Sequence, residues 1–88
     1  MTTTDDLTPR EGKVLRYVIS TYTLPVVPAR LVNSIEWSDL PHDQLQARAA
    51  LEKLRKLGLV KRQGSGYVAT GDGATLIRGA NKEGIWQD

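Results

Sequence analysis

The chain has 88 residues, 40% of them hydrophobic and 25% charged, with a formal net charge of +2 and no cysteine. That length leaves room for one domain with a modest core. The absence of cysteine excludes disulfides and thiolate metal sites, and no apolar run approaches the roughly 20 residues that a membrane-spanning helix needs.

The start, M-T-T-T-D-D-L, has no basic stretch followed by an apolar one. A secretory signal is therefore not expected, and a cytoplasmic location is. Residues 1–6 are polar and without periodicity, and read as a disordered tail.

Leu7-Thr8-Pro9-Arg10-Glu11 is a dense helix-start signal. Thr8 can cap, Pro9 suits the first helical position, and Glu11 completes a capping box. The helix is expected to run to about Thr21, burying Val14, Leu15, Val18, Ile19 and Tyr22 and leaving Arg10, Lys13 and Arg16 outside. Pro25 and Pro28 then forbid a helix over 23–28, so this apolar stretch reads as a short edge strand or β-like connector. Pro28 opens a short second helix through Ala29, Leu31, Val32 and Ile35, after which Trp37 is expected to close a corner of the core.

Ser38-Asp39-Leu40-Pro41 is a third start signal, with Asp39 or Ser38 able to cap. The helix reaches Leu57 and stops at Gly58. Leu40, Ala47, Ala50, Leu51, Leu54 and Leu57 share one side; His42, Leu45, Gln46, Ala49, Lys53 and Lys56 lie opposite, with Arg48 and Arg55 on a flank. Leu59–Arg62 and Tyr67–Thr70 read as two strands joined around Gly64-Ser65-Gly66. Gly71-Asp72-Gly73 breaks the pattern, and Ala74, Leu76 and Ile77 suggest a short final helix before Gly79. The expected domain thus spans 7–79. Residues 80–88 read as a flexible tail whose Ile85 and Trp86 dock on the body or on a second chain.

Charge is unevenly distributed. Before Arg48, acids outnumber bases; from Arg48 to Arg62, six bases (Arg48, Lys53, Arg55, Lys56, Lys61, Arg62) face only Glu52. A clustered basic segment on a nearly neutral chain points to a directed surface.

The fold class expected is α+β, mostly α. The segment L-E-K-L-R-K-L-G-L-V-K-R followed by G-Y-V-A-T-G-D-G-A-T-L-I resembles the winged helix-turn-helix DNA-binding domain of bacterial and archaeal regulators such as the MarR and PadR families. Leu51, Leu54, Gly58, Leu59, Val60, Arg62, Tyr67, Thr70, Gly73 and Leu76 hold the matching positions, and the likeness covers roughly residues 7 to 78. It implies three helices, a C-terminal hairpin wing and a short final helix. The chain is too short for the long dimerising helices those regulators usually carry, and its third helix has Asp43 and no Arg or Lys before Arg48.

The resemblance implies a small transcriptional regulator, or an accessory factor of a mobile element, acting on double-stranded DNA. The third helix would enter the major groove and the wing would lie on the backbone. Gln44, Gln46 and Arg48 would reach base edges, and Ala49 and Leu45 thymine methyls; Leu45 has an equal alternative in packing against the second helix or a partner. Lys53, Arg55, Lys56, Lys61, Arg62 and Ser65 would contact phosphates. The alternative is a winged helix that binds protein, or a subunit of a larger assembly, without DNA. A homodimer or protein partner is compatible with both, with 81–88 the first candidate dimer contact.

Catalysis has little support. His42 is the only histidine, and neither G-S-G nor G-D-G is expected to open a long helix after a buried strand, as a nucleotide loop would. No enzyme, cofactor or metal is expected.

Overall fold

A computed structural model describes residues 3–21, 25–32 and 43–86. The expectations for Tyr22, Ile35, Trp37, Ser38, Asp39, Leu40 and His42 lie outside the described residues.

Helix α1 spans Pro9–Ser20. The Thr8 hydroxyl accepts from the Glu11 amide at 3.2 Å and the Glu11 carboxylate accepts from the Thr8 amide at 2.9 Å. This reciprocal box satisfies two amides that have no intrahelical partner. Val14, Leu15 and Val18 are fully buried beneath the helix. Lys13, expected outside, is only 8% exposed. It lines a cleft with Pro9, Glu83, Ile85 and Trp86, so the C-terminal segment covers its aliphatic stem.

The connector contributes one antiparallel bridge. Val26 donates to the Tyr67 carbonyl at 2.9 Å and accepts from the Tyr67 amide at 3.0 Å. Helix α2, Pro28–Val32, follows and packs chiefly on α3.

Helix α3 spans Gln44–Lys56 and buries Ala47, Ala50, Leu51 and Leu54. Its cap is Asp43 rather than Asp39 or Ser38: the Asp43 backbone is extended and its carboxylate accepts from the Gln46 amide at 2.8 Å. At the far end Gly58 takes φ +80°. The Gly58 amide bonds the Arg55 carbonyl and the Leu59 amide bonds the Leu54 carbonyl, both at 3.0 Å, the paired closure that a left-handed residue after a helix permits.

Strands β1 (Val60–Gln63) and β2 (Gly66–Ala69) form an antiparallel hairpin, Val60 opposite Ala69 and Gln63 opposite Gly66. The fold is therefore α+β and mostly helical, its core gathering α1, α3, the hairpin and one further helix.

That last helix, α4, departs most from expectation. It runs from Gly71 to Glu83, straight through Gly73 and Gly79. Each interior glycine costs about 1 kcal/mol of helix propensity, but Leu76, Ile77 and Ala80 are buried against the core, and burying a large aliphatic side chain is worth about 2 kcal/mol. Packing outweighs the glycines. Nor do residues 80–86 form a loose tail, because Trp86 is only 8% exposed. At the other end Thr4–Asp6 forms a 3-10 turn closed by the Thr3 amide on the Asp6 carboxylate at 2.8 Å, and Leu7 is buried.

Candidate nucleic-acid interface

Helix α3 presents three stripes to its surroundings. Leu45, Ala49 and Lys56 project furthest from the core; Gln46 and Lys53 turn toward α1; Gln44, Arg48, Glu52 and Arg55 turn toward the hairpin. The expected contact residues Gln44, Gln46, Arg48, Ala49, Lys53, Arg55, Lys56, Lys61, Arg62 and Ser65 are all exposed.

Gln44, Arg48, Arg62 and Ser65 meet in one groove of about 360 Å³ between α3 and the hairpin, together with Pro28, Leu45 and Tyr67. Leu45 is 79% exposed there, the one large hydrophobic side chain standing clear of the surface among the described residues. Arg62 lies over the Tyr67 ring, 5.5 Å from its centre, a cation–π contact that orients the guanidinium. Strand alternation sends Lys61 to the opposite face of the hairpin from Arg62.

On the α1 side, Arg10 donates to the Gln46 side-chain oxygen at 3.2 Å and Lys53 pairs with Glu11 at 2.9 Å. Burial acts to raise the Glu11 pKa, but the bonds from Thr8 and Lys53 outweigh it and the carboxyl titrates below its ordinary range. Lys53 therefore serves α1 as well as any outside ligand.

A second acid sits on the hairpin side. Glu52 accepts from Arg55 Nη2 at 3.0 Å and from the Tyr67 hydroxyl at 2.5 Å. Its pKa is pulled down to about 2, first by the Arg55 hydrogen bond and then by that of Tyr67. Burial, then the bond given to Glu52, raises the Tyr67 phenol. Arg48, Lys56 and Lys61 make no ion pair or side-chain hydrogen bond with a described residue.

Sequence reasoning missed Arg10, Pro28 and the Glu52–Tyr67 contact. The i,i+3 spacing of Glu52 and Arg55 does signal their pairing. Nothing local signals the tyrosine, which reaches Glu52 only once the hairpin folds back with β1 against α3.

No helix among the described residues is long and apolar enough to cross a membrane. Comparison with protein-family models, curated proteins and solved structures finds no match to this chain.

Proposed function

We propose that the chain is a winged-helix protein that binds double-stranded DNA, as a small transcriptional regulator or an accessory factor of a mobile element. In this reading α3 enters the major groove and the hairpin is the wing, lying on the adjacent backbone. The supporting observation is the shared groove: Gln44 and Arg48 from α3 stand beside Arg62 and Ser65 from the hairpin. Amide and guanidinium groups able to address base edges are thus set next to groups able to hold phosphate. Lys56 extends the basic stripe along α3, and Lys53 and Arg55 join it when they leave their acid partners.

The test is fluorescence anisotropy of a labelled duplex at low and near-physiological salt. Wild type should bind with affinity that falls steeply as salt rises. Arg48→Glu with Arg62→Glu should abolish binding while leaving the thermal melt intact. Absence of wild-type binding at low salt would sink the reading.

Leu45 favours a second reading, a winged helix that docks on protein. A side chain 79% exposed at the head of α3 suits an apolar partner as well as a thymine methyl. In that case the charge reversals would leave the partner complex intact and Leu45→Glu would break it.

A further inference from the structure

Beside the groove between α3 and the hairpin, joined to it through Tyr67, stands an anion of the chain's own. Glu52 lies one turn after Arg48 and one turn before Arg55 on α3. Arg55 Nε approaches its two oxygens at 3.2 and 3.3 Å, Arg55 Nη2 bonds one of them at 3.0 Å, and the Tyr67 hydroxyl bonds the other at 2.5 Å. Arg62 stands over the same tyrosine. A guanidinium fork and a hydroxyl on one delocalised anion, with a second guanidinium held over the hydroxyl's own ring, resemble the donor set that proteins use for phosphate oxygens. The pair is open to solvent, with the Glu52 and Arg55 side chains 32% and 44% exposed, so an incoming anion can reach it.

We infer that Glu52 stands in for a backbone phosphate: it occupies Arg55 in the free protein, and a DNA phosphate must displace it to recruit that guanidinium. The inference rests on the DNA-binding reading and deepens it by assigning Glu52 a restraint on affinity for the DNA backbone. Sequence-independent binding draws on phosphate contacts almost alone. Withholding one cation and fixing one negative charge beside the backbone therefore weakens it. The carboxylate remains charged at neutral pH because Arg55 and Tyr67 hold it in that form.

The experiment compares wild type, Glu52→Gln, Arg55→Gln and the double variant on a random-sequence duplex across a salt series, each first shown to fold by circular dichroism and thermal melting. Glutamine keeps an acceptor for Tyr67. Should it nevertheless fail to fold, Glu52→Ser, too short to reach Arg55, carries the same expectation. Freeing one cation should tighten binding roughly tenfold at low salt and steepen the log–log salt slope by about 0.9. Arg55→Gln alone leaves the carboxylate unneutralised beside the backbone and should weaken binding, and the double variant, again neutral at this place, should return to wild-type affinity. Salt-sensitive wild-type binding that Glu52→Gln leaves unchanged would overturn the inference and spare the DNA reading. So would a gain that survives in the double variant. No binding by either wild type or Glu52→Gln at low salt would remove the DNA reading itself, and the inference with it.

Discussion

The indole of Trp86 lies flat across Gly12, so close that a methyl carbon built on the glycine would stand 2.1 Å from the ring. Helix α1 thus accepts the C-terminal segment only where it lacks a side chain. Gly12→Ala gains about 0.5–1 kcal/mol of helix propensity, whereas forcing an extra carbon into a filled contact costs about 1–3 kcal/mol. The clash should win. Urea denaturation should show a lower midpoint, accompanied by a red shift in tryptophan emission as the ring is expelled. An unchanged midpoint and spectrum would contradict the contact.

Thr70 serves two elements. Its hydroxyl oxygen accepts from the Gly73 amide at 3.2 Å, capping α4, and donates to the Gly58 carbonyl at 2.7 Å, next to the end of α3. Thr70→Val keeps the shape and removes both bonds. Loss of a cap costs about 1 kcal/mol and loss of a further hydrogen bond about as much. Thermal melting should place this variant about 2 kcal/mol below wild type; a loss under half of that would mean that only one bond matters.

Acid should erase a contribution from Glu52. Its pKa in the folded chain, about 2, lies below the ordinary 4.5, so the folded state favours the carboxylate. The stabilisation is complete above pH 4.5 and is lost as pH falls from there toward 2. Glu11 shifts in the same direction. The stability difference between wild type and Glu52→Gln should therefore narrow over that window, small throughout because the pair is solvent-exposed. A difference independent of pH would contradict it.

Under the proposed DNA-binding function, base and phosphate contacts should separate by substitution. On a selected site, Arg48→Ala should cost about 1–3 kcal/mol and relax preference at one base position. Lys56→Ala should weaken all duplexes alike and lower the salt slope by about 0.9. Equal behaviour of the two variants on specific and random DNA would show that Arg48 does not read sequence.

The elements written in local chemistry were legible in the sequence. Thr8-Pro9-Arg10-Glu11 announces α1, Gly58 ends α3, and the glycines around Ser65 mark the hairpin. What failed depends on distant packing. Gly73 and Gly79 argue locally against the α4 that Leu76, Ile77 and Ala80 sustain through the core. Trp86 docks on the body, one of the two places the sequence offered, yet only the fold shows that Gly12 receives it, and Lys13 looks exposed until Trp86 arrives. Asp43 is the cap of α3, its carboxylate on the Gln46 amide, a position that the sequence did not single out. The basic stripe of α3 was legible too; its division between partners on α1 and on the hairpin required the folded chain.

Gly58 and Leu59 are the only residues between the end of the α3 cap and β1, and both amides are tied back into α3. Thr70, the cap of α4 just past β2, fastens the same junction from the other side, its amide bonding the Leu59 carbonyl at 3.0 Å. Helix and hairpin consequently behave as the two jaws of a caliper locked at one opening. Any surface that engages both must match a fixed span and angle, and an inserted residue at this joint would change the gauge without altering a single contact side chain.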